Sequence, residues 1–110
     1  MSEFDPPQMD ALLISADPDH IERERRKAKE LKRTAWWRNR KGRGQCYYCK
    51  RRFPPAELTL DHITPLVRGG RTSKANCAPA CHECNQHKRN LPAEAFKAWL
   101  QERLDETSTD

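Results

Sequence analysis

Two cysteine pairs, Cys46-Tyr47-Tyr48-Cys49 and Cys81-His82-Glu83-Cys84, constrain this chain more than any other feature. A two-residue spacer lets both sulfurs of a pair face one point from a tight knuckle, and two such pairs supply four thiolates. Four thiolates close a tetrahedral zinc shell at about 2.3 Å with no open position. These cysteines are therefore expected to hold the fold and take no part in catalysis. The composition explains why a clamp is needed: of 110 residues, 35% are hydrophobic and 34% charged. One small domain with arms is expected, and so little apolar material makes a thin core that calls for disulfides or a metal. The longest apolar run, Ala11-Leu12-Leu13-Ile14, is far short of the roughly 20 residues that cross a bilayer. Acidic Glu3, Asp5 and Asp10 precede it where a leader would carry bases. No membrane span or signal peptide is expected, which points to a cytoplasmic chain whose cysteines bind metal and do not pair as disulfides. The fifth cysteine, Cys77, is expected to be a small buried hydrophobe. Its exchange with Cys81 stays open but would lose the short spacer.

Charge is unevenly placed. Residues 20–52 carry a net +11, between a −5 segment at residues 1–19 and a −3 segment at 91–110. Such a stretch is the electrostatic footprint of a phosphate-binding surface, although a solvated charged helix has the same composition. A helix over about 19–38 is predicted, capped by Asp17 before Pro18 or by Asp19 with Glu22 three residues on. Ile21, Ala28, Leu31 and Ala35 would dock it, leaving Arg23, Arg25, Arg26, Lys27, Lys29, Lys32 and Arg33 free. At least one of Trp36 and Trp37 is expected to pack on the domain.

Lys41-Gly42-Arg43-Gly44 breaks that helix ahead of the first knuckle. Glu57–Ile63 alternates as a strand ending near Asp61-His62; Gly69-Gly70 turns the chain, and residues 76–80 return as a second strand. A helix follows over 82–89. Pro92 opens a last one, with Phe96, Trp99, Leu100 and Leu104 as its core face.

A zinc module has no need of Asp61-His62, Asn76 or Asn85, whereas phosphodiester hydrolysis does. An imidazole with an ordinary pKa of about 6.5 can take a proton from water, and a neighbouring carboxylate can hold a divalent ion. Adjacent strand residues point to opposite faces, so Asp61 and His62 share one site only if the strand ends or bulges there.

The set Cys46-x-x-Cys49, Asp61-His62-Ile63-x-Pro65-Leu66, Gly69-Gly70, Asn76 and Cys81-x-x-Cys84-Asn85-x-x-Lys88 resembles the HNH nucleases of the ββα-metal, or His-Me finger, class. The resemblance covers about residues 46–90. It implies an α+β fold with a small zinc-stabilised ββα-metal core, to which the residue pattern adds a long basic N-terminal helix and a short C-terminal amphipathic helix. It also implies that His62 is the general base, that Asp61 ligates the catalytic metal, and that Asn76 braces the loop orienting the base. The third motif position is Asn85, an Asn in place of the His of the family's name. With Asp61 it would offer oxygen ligands, which favour Mg²⁺ or Mn²⁺. His87 is the rival for that role but lies on nearly the opposite helix face. His82 is expected to be exposed within the knuckle, and His20 carries no signal. Lys88, on the face of Asn85, is expected either to reach a phosphate or to be a solvated lysine; Arg68 and Arg71 flank the glycine turn as further phosphate contacts.

The implied organisation is a flexible acidic segment (1–18), a basic helical arm (19–44), the nuclease domain with its C-terminal helix (45–105) and a disordered tail (106–110). The implied activity is metal-dependent hydrolysis of DNA, most simply of a duplex gripped through its backbone by Arg25, Arg26, Lys29, Lys32 and Arg33. A zinc-stabilised nucleic-acid-binding module without catalysis, or a nuclease for RNA or branched DNA, remain the competing readings. Oligomeric state has no sequence signal.

Overall fold

The computed structural model describes residues 16–108, so residues 1–15 with their apolar run, the last two residues and the Leu104 side chain lie outside the described residues. Four α-helices and one two-stranded antiparallel sheet make up the described chain, together with three short 3₁₀ turns. No described helix is long and apolar enough to cross a membrane.

The basic arm is two helices, where the sequence led us to expect one over 19–38. Helix α1 spans Pro18–Leu31 and α2 spans Ala35–Gly42. Asp17 occupies the N-cap of α1 without a side-chain cap bond; Pro18, with its preset φ and no N–H to satisfy, suits the first turn. The break has a local cause in Thr34, whose hydroxyl donates to the Leu31 carbonyl at 2.7 Å and accepts from the Trp37 N–H at 3.2 Å. One threonine thus closes α1 and caps α2, a placement that favours a boundary over a helix interior. The docking face also differs from the expected stripe: Glu24 and Ala28 are its buried residues, with Ile21 and Leu31 half-buried, while Ala35 is exposed. Trp37 is buried; Trp36 is half-buried beneath the charges of Arg40 and Lys74.

After α2, Gly44 adopts φ +69, and a Cβ there would meet the Phe53 carbonyl at 2.8 Å, so the entry into the first knuckle needs glycine. Strand β1 (Leu58–His62) pairs with β2 (Cys77–Cys81) in the register Leu58↔Cys81, Leu60↔Pro79 and His62↔Cys77. Pro79 is tolerated because each strand of a two-stranded sheet is an edge. Its carbonyl accepts from the Tyr47 N–H at 2.8 Å, tying the knuckle to the sheet. Helix α3 (His82–Lys88) follows β2 without a linker, and α4 (Ala93–Ser108) starts just after Pro92.

The buried cluster consists of Cys46, Tyr48, Leu58, Ala80, Cys81, Cys84 and Phe96. Three of these seven are knuckle cysteines, so the thin core inferred from composition is one in which cysteines occupy the places of large aliphatic side chains. Phe96 joins α4 to it, edge-on to Tyr48 at 5.1 Å and stacked on Trp99 at 5.5 Å.

Candidate active site and metal cluster

The sulfurs of Cys46, Cys49, Cys81 and Cys84 lie within 4.8 Å of one another. A tetrahedral zinc shell with 2.3 Å bonds has sulfur–sulfur edges of about 3.8 Å, and Cys49 and Cys81 stand 3.9 Å apart. The four cysteines therefore fit a zinc ion. Backbone N–H groups of Tyr48 and Cys81 point at Cys46 Sγ, each at 3.4 Å, and that of Cys84 at Cys81 Sγ at 3.5 Å; such donors favour thiolates. Burial pushes the Cys81 and Cys84 thiols up, and at Cys49 burial is outweighed by Arg51, leaving that thiol at about 7. Buried thiols packed this closely ionise together only with a cation among them. Cys77 is buried but outside the cluster, in keeping with its expected role as a small apolar residue.

Strand β1 ends at His62, where the sequence led us to expect a strand end. One more pairing in the same register, the Ile63 N–H to the Asn76 carbonyl at 2.9 Å, follows the strand's last residue, and Asp61, His62 and Asn85 all line one cavity of about 220 Å³. Arg25 of α1 and Arg89 complete its charged wall. The loop after β1 is held by Asn76, whose amide spans it: Oδ1 accepts from the Thr64 N–H at 2.8 Å, and Nδ2 donates to the carbonyls of Thr64 at 3.1 Å and Arg71 at 2.7 Å. Gly70 seals the same loop, because a Cβ there would stand 1.9 Å from the Thr64 carbonyl oxygen. His20 reaches this turn from α1, its Nε2 lying 2.9 Å from the Gly70 carbonyl.

His62 is half-buried, with Nε2 2.9 Å from Thr72 Oγ1, and burial holds its pKa below the ordinary value. Asp61 is buried; its Oδ2 accepts from the Tyr48 hydroxyl at 2.5 Å and pairs with Lys88 Nζ at 3.2 Å. Burial, and then the Asp61 carboxylate, push the Tyr48 phenol up, so it stays the donor. Asn85 anchors its Nδ2 on Thr59 Oγ1 at 3.3 Å. The donor set facing the cavity, a carboxylate and an amide, is one of hard oxygens and fits Mg²⁺ or Mn²⁺ better than zinc. Because Lys88 already offsets the charge of Asp61, such an ion would depend on substrate phosphate and water for the rest of its shell.

Lys88 is the main departure from expectation. It is neither a phosphate contact nor solvated: its side chain is 0% exposed, and Nζ donates to the His62 carbonyl at 3.0 Å as well as pairing with Asp61. Helical phase put Lys88 on the correct face of α3, but β1 covers that face. His87 diverges from Asn85 as its phase suggested and packs tilted against Trp99, with ring centroids 4.9 Å apart, beside Cys49 and Cys84. His82 is exposed.

Arg25, Lys29 and Lys32 line a second cleft of about 310 Å³, which shares Arg25, Leu60, His62 and Leu66 with the first. Arg26 and Arg33 are exposed but line neither cleft. Arg68 and Arg71 are exposed flanks of the glycine turn, and Arg68 Nε donates to the Asn90 carbonyl at 2.8 Å. Sequence reasoning missed Glu24, Tyr48, Thr72 and Arg89. Glu24 had a signal, an acid in phase with Ile21, Ala28 and Leu31 within a run of bases; Thr72 had none.

Residues 46–100 match the model of a family described as HNH endonuclease, which is half of the chain. Over 56 residues the chain is 38% identical to the CRISPR-associated endonuclease Cas9 of Corynebacterium diphtheriae, a stretch covering 50% of this chain and 5% of that relative. With the cysteine cluster, the two strands and α3 all inside the matched residues, the chain belongs to the HNH endonuclease family.

Proposed function

We propose that this chain is a metal-dependent nuclease that hydrolyses phosphodiester bonds in DNA. The observation that carries the reading is the convergence of Asp61, His62 and Asn85 on one cavity walled by the basic face of α1. A binding module gives no reason for that convergence. Zinc on Cys46, Cys49, Cys81 and Cys84 would hold the fold, and Asp61 with Asn85 would hold Mg²⁺ or Mn²⁺. When bound, that ion supplies Lewis-acid stabilisation of the charge on the phosphate and the departing oxygen.

The chain's own residues do the rest. His62 takes a proton from water, and the water oxygen bonds to phosphorus as the P–O3′ bond breaks; O3′ leaves with that bond's electron pair and takes a proton from solvent, giving 5′-phosphate and 3′-hydroxyl ends. Its lowered pKa keeps the imidazole neutral and able to accept at neutral pH. Asn76 fixes the loop between the base and Thr72. Lys88 and Tyr48 hold one oxygen of Asp61, so the carboxylate keeps a single orientation. Arg25, Lys29 and Lys32, aided by Arg26, Arg33, Arg68 and Arg71, would meet backbone phosphates without reading sequence.

The test is plasmid cleavage in Mg²⁺ or Mn²⁺ by the native chain and by His62→Ala. The native chain should cut, and the variant should lose cleavage while keeping its zinc and its fold. Equal cleavage by both would reject His62 as the base. Binding without cleavage by the native chain would favour the non-catalytic module, and preferential cutting of RNA or branched DNA would redirect the substrate.

A further inference from the structure

Glu24 is a carboxylate only 4% exposed in the middle of α1, with Arg23, Arg25 and Arg26 as its neighbours in the chain, and no step of hydrolysis uses it. Its surroundings join the arm to the base. Glu24 Oε1 accepts from the Thr72 N–H at 2.6 Å, while Oε2 pairs with Lys27 at 3.2 Å. The Glu24 backbone carbonyl accepts from the Thr72 hydroxyl at 2.7 Å, and Thr72 Oγ1 lies 2.9 Å from His62 Nε2.

The donors along this chain can be counted. A hydroxyl owns one hydrogen and a carbonyl oxygen owns none, so the Thr72 hydrogen lies on the line to Glu24. Towards His62 the hydroxyl then has only lone pairs, and a hydrogen bond there requires the proton on Nε2. Nδ1 is left as the lone-pair nitrogen, and a base needs a lone pair facing its water. The bond also pins the ring against rotation, since flipping it would remove Nε2–H from its acceptor.

We propose that Thr72, braced on both its N–H and its hydroxyl by Glu24 of α1, is a positioning residue that fixes the orientation and tautomer of His62. Docking of the arm therefore completes the active site in addition to supplying charge. The inference rests on His62 being the base, but its first readout needs no cleavage.

The experiment is nitrogen-15 NMR of the His62 ring in the zinc-loaded full chain at mildly alkaline pH, for the native protein, Thr72→Val, Thr72→Ser and Glu24→Ala, paired with kcat and KM for DNA cleavage. The native ring should carry its proton on Nε2, with that proton protected enough from exchange to be seen. Thr72→Val should lose that signal and lower kcat on the order of tenfold, the worth of one hydrogen bond, at unchanged KM. Thr72→Ser should restore both, and Glu24→Ala should move both in the direction of Thr72→Val while leaving zinc content as in the native chain. A native ring protonated on Nδ1, or a Thr72→Val chain with the native signal and native kcat, overturns the proposal. A native chain with the expected ring that cuts nothing supports the positioning and rejects the nuclease reading alone.

Discussion

Lys88→Met is the perturbation that most sharply separates the buried lysine from a surface one. Methionine keeps most of the aliphatic stem and removes Nζ, which stands 3.2 Å from Asp61 Oδ2 and 3.0 Å from the His62 carbonyl. The side chains of the pair are 0% and 7% exposed, so water cannot replace the lost cation. Removing one partner of a buried pair costs about 3–5 kcal/mol, because the other charge stays buried without compensation. For a domain of this size each kcal/mol lowers Tm by about 4–8 °C, so a fall of at least about 12 °C is expected. The assay is reversible thermal or urea unfolding with zinc held in excess, so that metal loss does not enter the comparison. Adding Asp61→Asn to Lys88→Met should return part of the loss, giving a coupling of about 0.5–3 kcal/mol. An exposed phosphate-binding lysine behaves differently. Its removal would shift stability by no more than about 0.5 kcal/mol and would lower the salt dependence of DNA binding by the share of about one phosphate. A Lys88→Met chain with near-native Tm and weakened DNA affinity would refute the buried-pair argument.

Three further outcomes are expected. Cys46→Ser, or a strong chelator, should release one equivalent of zinc and abolish the cooperative unfolding transition, since three of the buried cluster's residues are ligand cysteines; metal analysis with circular dichroism reads both. Replacing Arg25, Lys29 and Lys32 together with alanine should weaken DNA binding at low salt and reduce the slope of log K against log[salt] by up to about 0.9 for each phosphate that is no longer neutralised, as measured by a fluorescence titration over several salt concentrations. His62 has its folded pKa below the ordinary value of about 6.5. The neutral form is thus favoured in the native state: its stabilising effect is complete above about pH 6.5 and is lost as pH falls through the folded value. The acidic limb of the kcat profile should accordingly lie below about pH 6.5, and a limb above it would contradict the burial of the ring.

The sequence made the cysteine cluster legible because a two-residue spacer admits few geometries, and the same holds for Asp61-His62 at a strand end. Element order was legible for a related reason, since Pro65, Gly69-Gly70 and Pro92 act locally on the backbone. What it concealed depends on contacts between distant segments. Lys88 looks like any helical lysine until β1 covers it, and its partners lie 26 and 27 positions away in the chain. Thr72 meets Glu24 across 48 positions. The break at Thr34 was visible in principle, but the bases on both sides of it suggested a single helix, and charge has no helical boundary of its own.

Cys81 holds three positions at once: it ends β2, sits at the N-cap of α3 with Sγ accepting from the Cys84 N–H, and belongs to the sulfur cluster. The next turns of that helix carry Asn85 and Lys88. Zinc capture and the capping of this helix would therefore share an atom, so the loss of one is expected to weaken the other. On the proposed nuclease reading, a chain that has not acquired zinc would also have a weakened start to the helix that carries Asn85.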